Sequence, residues 1–151
     1  MQLALAQRLA EGYMRHYLPA SEGWTFAYSR SVRQFGSTEW RMLAGAVIGR
    51  KISLSAPLTE KNTQETVTDT ILHEIAHALA GHSAGHGPVW QKKARELGCK
   101  AERCVSAADV ETVKRQWKGV CPVCKRVALR HRRNYKACCG KCRVPVEWSA
   151  V

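Results

Sequence analysis

No apolar run in these 151 residues approaches the roughly 20 that a membrane-spanning helix needs, so the sequence predicts no membrane partner. The N-terminal stretch has no signal-peptide core: Arg8, Glu11 and Arg15 interrupt Met1 to Tyr17, which predicts an amphipathic helix and a cytoplasmic protein. An even set of cysteines is also missing. There are seven, and an odd number without a secretory signal argues against a disulfide framework. Acid is scarce in one region only. Residues 1–113 hold 13 Lys/Arg and 11 Asp/Glu, a balance of +2, whereas residues 114–151 hold 11 Lys/Arg and only Glu147, a balance of +10. The net charge of +12 is thus mostly a property of the C-terminal quarter. Eleven cations with one acid among them repel one another, and a polyanion, nucleic acid being the commonest, is the partner such a segment predicts.

The pattern along the chain predicts a mixed α+β fold. Leu5, Leu9, Tyr13 and Tyr17 recur at helical spacing over Ala4 to Leu18, and Pro19 stops them. Trp24 to Val32 alternates apolar and polar residues as a half-buried strand does; Gly36-Ser37 reads as a turn, and Ala46 to Leu54 as a second strand closed by Pro57. Leu58 to Asn62 reads as a loop. Asn62 or Thr63 caps a helix to about Ala80, with Val67, Ile71, Ile75 and Leu79 as its apolar stripe and Gly81 as its stop. Residues 81–87 (GHSAGHG) form a loop, Pro88 opens a helix to Leu97, and Gly98 ends it. Ser106 with Asp109 resembles a capping box and predicts a further helix to about Lys118.

The helix over 63–80 carries His73-Glu74-Ile75-Ala76-His77. Four residues are slightly more than one turn, so both imidazoles leave one face and can share one zinc ion. Glu74, beside the first His, is placed to take a proton from a zinc-bound water attacking a carbonyl and pass it to the leaving amine. A site of this kind needs a third protein ligand. His82, His86 and Glu96 are the candidates. His82 follows the helix stop too closely to return, while Ser83-Ala84-Gly85 gives His86 room to fold back, so geometry ranks His86 first and Glu96 second. Asp69 shares the face of His73 and is either its hydrogen-bond partner or, more simply, a solvated charge. Trp90 reads as packing between helices.

The stretch HEIAHALAGHSAGHGPVW resembles the core of SprT-like metallopeptidases, the group that includes Spartan. The resemblance is strong over about residues 60–98 and extends only in layout to residues 1–59. It implies His73, His77 and His86 as zinc ligands, Glu74 as the base, and Trp90 as the aromatic that follows the Gly-His-Gly-Pro. It also implies a protein substrate held on DNA. The loop between the second and third His is short here.

Cys121-Pro-Val-Cys124 and Cys139-Gly-Lys-Cys142 are paired knuckles with 14 residues between the inner cysteines, the spacing of a four-thiolate structural zinc in a ribbon. Cys138 would break the two-residue knuckle, so Cys139 is the expected ligand. Cys99 and Cys104 read as ordinary thiols. Between the knuckles lie Lys125, Arg126, Arg130, Arg132, Arg133, Tyr135 and Lys136, a basic finger with one ring for base stacking.

Together these features predict a zincin-like α+β metallopeptidase domain over 1–118 and a basic zinc ribbon over 119–151. The expected protein is a monomer holding one catalytic and one structural Zn²⁺ and cleaving DNA-associated or DNA-crosslinked proteins. Two other readings stay open: a peptidase unrelated to DNA, and a non-enzymatic DNA-binding or regulatory protein. Glu74 counts against the second, because metal binding alone does not require it.

Overall fold

The computed structural model describes residues 1–101 and 110–151. It is an α+β chain that divides into two units, Met1–Thr112 and Val113–Val151. This division falls ahead of the sequence boundary at 118/119, because Trp117–Val120 is a strand of the second unit. Among the described residues, no helix is long and apolar enough to cross a membrane.

The first unit opens with α1 (Leu3–Tyr17), whose small residues Ala6 and Ala10 and the longer Met14 are buried. Three strands follow: β1 (Trp24–Ser29), β2 (Gly36–Leu43) and β3 (Ala46–Ser55), in the order β1-β3-β2. β1 runs parallel to β3 and β2 antiparallel to it. β1 is shorter than its alternation predicts. Ser31 Oγ accepts the N–H groups of Arg33 and Gln34, and this local hydroxyl turn takes over where the strand pattern continues.

β2 is the main departure from the sequence reading, which has a turn at Gly36-Ser37. The strand begins at Gly36 and pairs through to a tight turn at Ala44-Gly45, where both residues take positive φ (48° and 83°), the geometry that matches strand twist in a two-residue hairpin. A second departure is α2 (Ala56–Lys61), where the sequence predicts a loop. Ser55 caps it by accepting from Leu58 N–H, and Pro57 sits within its first turn.

α3 (Gln64–Ala80) and α4 (Pro88–Leu97) have the termini their sequences predict. Thr63 Oγ1 accepts from Thr66 N–H at 3.3 Å, and Gly98 takes the left-handed conformation (φ 76°) that closes α4. Val67, Ile71 and Ile75 of α3 are fully buried, as are Ile52 and Leu54 of β3, so α3 lies under the sheet on its apolar stripe. A second cluster (Ala76, Trp90, Ala94, Cys99) joins α3 to α4.

The helix expected from Ser106 to Lys118 does not extend through its second half. Ser106, Asp109 and Cys104 lie outside the described residues, and residues 110–116 are not helical. Asn62 holds this segment instead: its side chain donates to Glu111 O at 2.9 Å and accepts from Glu111 N at 2.7 Å.

In the second unit β4 (Trp117–Val120) is central, flanked by antiparallel β5 (Val127–Arg130) and β6 (Glu147–Ala150). Only Gly119, Cys121 and Cys139 of this unit are buried.

Candidate metal centres

α3 places His73 and His77 one turn apart, and the loop after Ala80 brings a third ring to them. Gly81 and Gly85 take positive φ (89° and 51°), and Gly87 N donates to Ala84 O at 3.0 Å, so the loop doubles back within a few residues. His86 Nε2 then lies 3.2 Å from His73 Nε2 and 3.1 Å from His77 Nε2. Metal–nitrogen bonds of about 2.0–2.1 Å at tetrahedral angles separate neighbouring nitrogens by about 3.3 Å, so the three Nε2 atoms suit one zinc-sized ion. Trp90, fully buried on α4, floors the group: its ring centroid is 4.7, 5.2 and 4.5 Å from those of His73, His77 and His86. Burial against this wall, reinforced by the neighbouring rings, pushes the His73 and His77 pKa values down to about 4. Both rings are therefore neutral near pH 7, the form that ligates a cation.

Glu74 turns from the same turn of α3 toward β2. Thr38 Oγ1 is 2.7 Å from Glu74 Oε2 and 2.8 Å from Glu74 O; its single proton serves one of them at a time. Burial pushes the Glu74 carboxyl up to about 7, against the pull of the Thr38 hydrogen bond. A cleft of about 600 Å³ opens over these groups, lined by His73, Glu74, His77 and His86, by Gly36, Thr38 and Trp40 of β2, and by Val110 and Thr112. His82 also lines it, edge-on to Trp40 at 5.9 Å between centroids.

The other sequence candidates lie elsewhere. Glu96 is paired with Lys93 at 2.9 Å on an exposed face of α4. Asp69 accepts the Lys100 backbone N–H at 2.9 Å, so it fastens the chain beyond α4 rather than orienting His73. Gly36 and Thr38 are the site residues that sequence reading misses. No local pattern marks them, because the partner of Thr38 is 36 positions away on another element.

In the second unit the two knuckles share one backbone geometry. Lys125 N donates to Cys121 O and Arg143 N to Cys139 O, and Lys125 and Arg143 both take left-handed φ (58° and 59°) without being glycine. Repeating that uncommon conformation after each Cys-x-x-Cys turns all four sulfurs inward. The ligand atoms of Cys121, Cys124, Cys139 and Cys142 lie within 4.8 Å of one another, with Cys124 Sγ and Cys139 Sγ 3.6 Å apart. Tetrahedral zinc–sulfur bonds of about 2.3 Å require roughly 3.8 Å, and the set leaves no place for a further ligand. Backbone N–H groups of Cys142 and Lys141 hold the Cys139 thiol down to about 6. Cys138 is exposed and outside the set.

The basic residues that the sequence marks between the knuckles are all exposed in this unit. Among the described residues, the ion pairs involve residues 22–96, and no cation of 113–151 is in one. The Arg133 guanidinium lies 4.0 Å over the Trp117 ring and 5.2 Å from the Tyr135 ring.

A His-Glu-x-x-His helix beneath a small sheet, with a third histidine returned by the next loop, defines a metallopeptidase-type domain. Residues 4–116 match the model of the SprT-like family, and the chain belongs to that family. No curated protein matches the sequence.

Proposed function

We propose that this chain is a zinc-dependent peptidase acting on proteins associated with or crosslinked to DNA. The observation that carries the peptidase reading is the convergence of three histidine rings, with His86 Nε2 within 3.2 Å of the other two Nε2 atoms, beside a buried carboxylate in an open cleft. A zinc ion held by His73, His77 and His86 would polarise a peptide carbonyl and acidify a water molecule. Glu74 then takes the proton of the attacking water and delivers it to the leaving nitrogen, and the carbon–nitrogen bond breaks. Trp90 shields one side of the three rings, leaving the other side open to the cleft.

The DNA reading rests on charge. The ribbon carries a balance of +10 over residues 114–151, and its exposed Lys125, Arg126, Arg130, Arg132, Arg133 and Lys136 have no acidic partner among the described residues. Joined covalently to the cleft-bearing unit, such a module raises the local concentration of DNA-held protein without a sequence-specific groove.

Cleavage of a DNA-binding protein should therefore be faster with its DNA than without, and the gain should fade as salt rises. The logarithm of the full chain's DNA affinity should fall linearly with log salt. Replacing Arg130, Arg132 and Lys136 by Gln should lower that slope by about 0.7–0.9 for each phosphate no longer neutralised. Salt-insensitive binding, or equal cleavage of free and DNA-bound protein, would reject the DNA reading and leave the peptidase.

A further inference from the structure

The approach of Glu74 to β2 is unusually close. A Cβ built on Gly36 would lie 2.6 Å from Glu74 Oε1, 2.7 Å from its Cγ and 2.9 Å from its Cδ. Any side chain at position 36 would occupy the volume the glutamate fills. Gly36 has no positive φ, so conformational freedom does not explain a glycine here; the space does. Two residues along the same face of the strand, Thr38 Oγ1 reaches Glu74 Oε2 at 2.7 Å. The carboxylate is thus bounded on one side by absent bulk and on the other by a donor. Both come from a strand whose register with β3 is set at Gly36↔Leu54 and Thr38↔Ile52, and Leu54 and Ile52 are fully buried core residues. The core therefore fixes the height at which the cradle meets α3.

We infer that Gly36 and Thr38 together position the Glu74 carboxylate: Gly36 lets it lie against β2, and Thr38 fixes its rotation toward the cleft. This rests on the reading of Glu74 as the base. Thr38 has a second acceptor in the Glu74 carbonyl oxygen at 2.8 Å, so its hydroxyl is held to this one residue. Both acceptors of Thr38 belong to Glu74, and the atoms that crowd Gly36 are those of Glu74. The two residues therefore act through the glutamate and leave metal binding to the three rings.

The test compares Thr38→Val, Thr38→Ser and Gly36→Ala in the full chain. Thr38→Val keeps the shape and removes the donor; a hydrogen bond to a charged group is worth about tenfold to a hundredfold, and kcat should fall by that factor with KM little changed. Thr38→Ser restores the hydroxyl and should recover most of the activity. Gly36→Ala should lower kcat at least as far, because the flexible glutamate, rather than the strand, gives way. Zinc affinity by chelator competition should stay within a few-fold of wild type in all three.

A readout independent of turnover is the carboxyl ¹³C NMR signal of Glu74 in metal-free protein, assigned by its disappearance in Glu74→Gln. It should move in Thr38→Val and Gly36→Ala and return toward wild type in Thr38→Ser. Wild-type kcat and an unmoved signal in Thr38→Val and Gly36→Ala would overturn the inference. An equal drop in zinc affinity in these variants would also overturn it, since the strand would then be holding the ligands. If wild type itself cleaves nothing, the peptidase reading fails, and the carboxyl signal still decides whether the cradle exists.

Discussion

Glu74→Gln is expected to retain its metal and lose peptide hydrolysis by a factor of roughly 10² to 10⁴, the usual contribution of a positioned general base. The substitution is nearly isosteric. The amide oxygen can still accept from Thr38 Oγ1, and the space beside Gly36 still fits the side chain. Its neutral head is easier to bury than a carboxylate, as the upward displacement of the Glu74 pKa to about 7 shows. Thermal stability should therefore hold or rise while chemistry stops. Single-turnover cleavage of a DNA-bound protein, read beside a melting curve and the metal content, separates the two effects. A Glu74→Gln variant that cuts within a few-fold of wild type would show that another group, or none, serves as base.

The second large effect concerns the ribbon. Cys139→Ser, or chelation of the wild type, should unfold residues 113–151 and leave residues 1–112 folded. This unit buries only Gly119, Cys121 and Cys139, and Trp148 covers Gly119 so closely that an added Cβ there would sit 3.0 Å from its ring. A core of that size does not offset the entropy of ordering some forty residues. Structural zinc contributes about 10–16 kcal/mol to comparable peptides, which would make an ion held by the four cysteines the dominant stabiliser. Lys125 and Arg143, non-glycine residues in left-handed conformation, add backbone strain that so small a core does little to offset. Amide exchange or limited proteolysis reads this directly: rapid loss of protection confined to 113–151. A ribbon that stays protected without metal would contradict it.

Much of α3 is legible in the sequence. Thr63, the Val67-Ile71-Ile75 stripe and Gly81 state its start, its buried face and its end in local terms, and Pro88 and Gly98 do the same for α4. The helix stop at Gly81 and the room that Ser83-Ala84-Gly85 provides rank His86 first among the candidate third ligands, and the structure places its Nε2 beside the other two. The knuckle spacing marks the four cysteines that the structure brings together. Features that depend on distant partners are not legible. β2 is half exposed and lacks clean alternation, so only its pairing with β3 identifies it. Its two cradle residues matter through a glutamate on another element. Asp69 shares a face with His73, but its partner is a backbone N–H that only tertiary folding brings near. At the other end of the chain, pairing with β5 and β6 takes Trp117 and Lys118 into a strand, where the sequence reading has the end of a helix.

The most direct measurement is metal content per chain. Wild type should carry two zinc ions, His86→Ala one, and the remaining ion should be the one missing from Cys139→Ser. His86→Ala retaining two ions would contradict a three-histidine centre, and with it the peptidase built on His73, Glu74, His77 and His86.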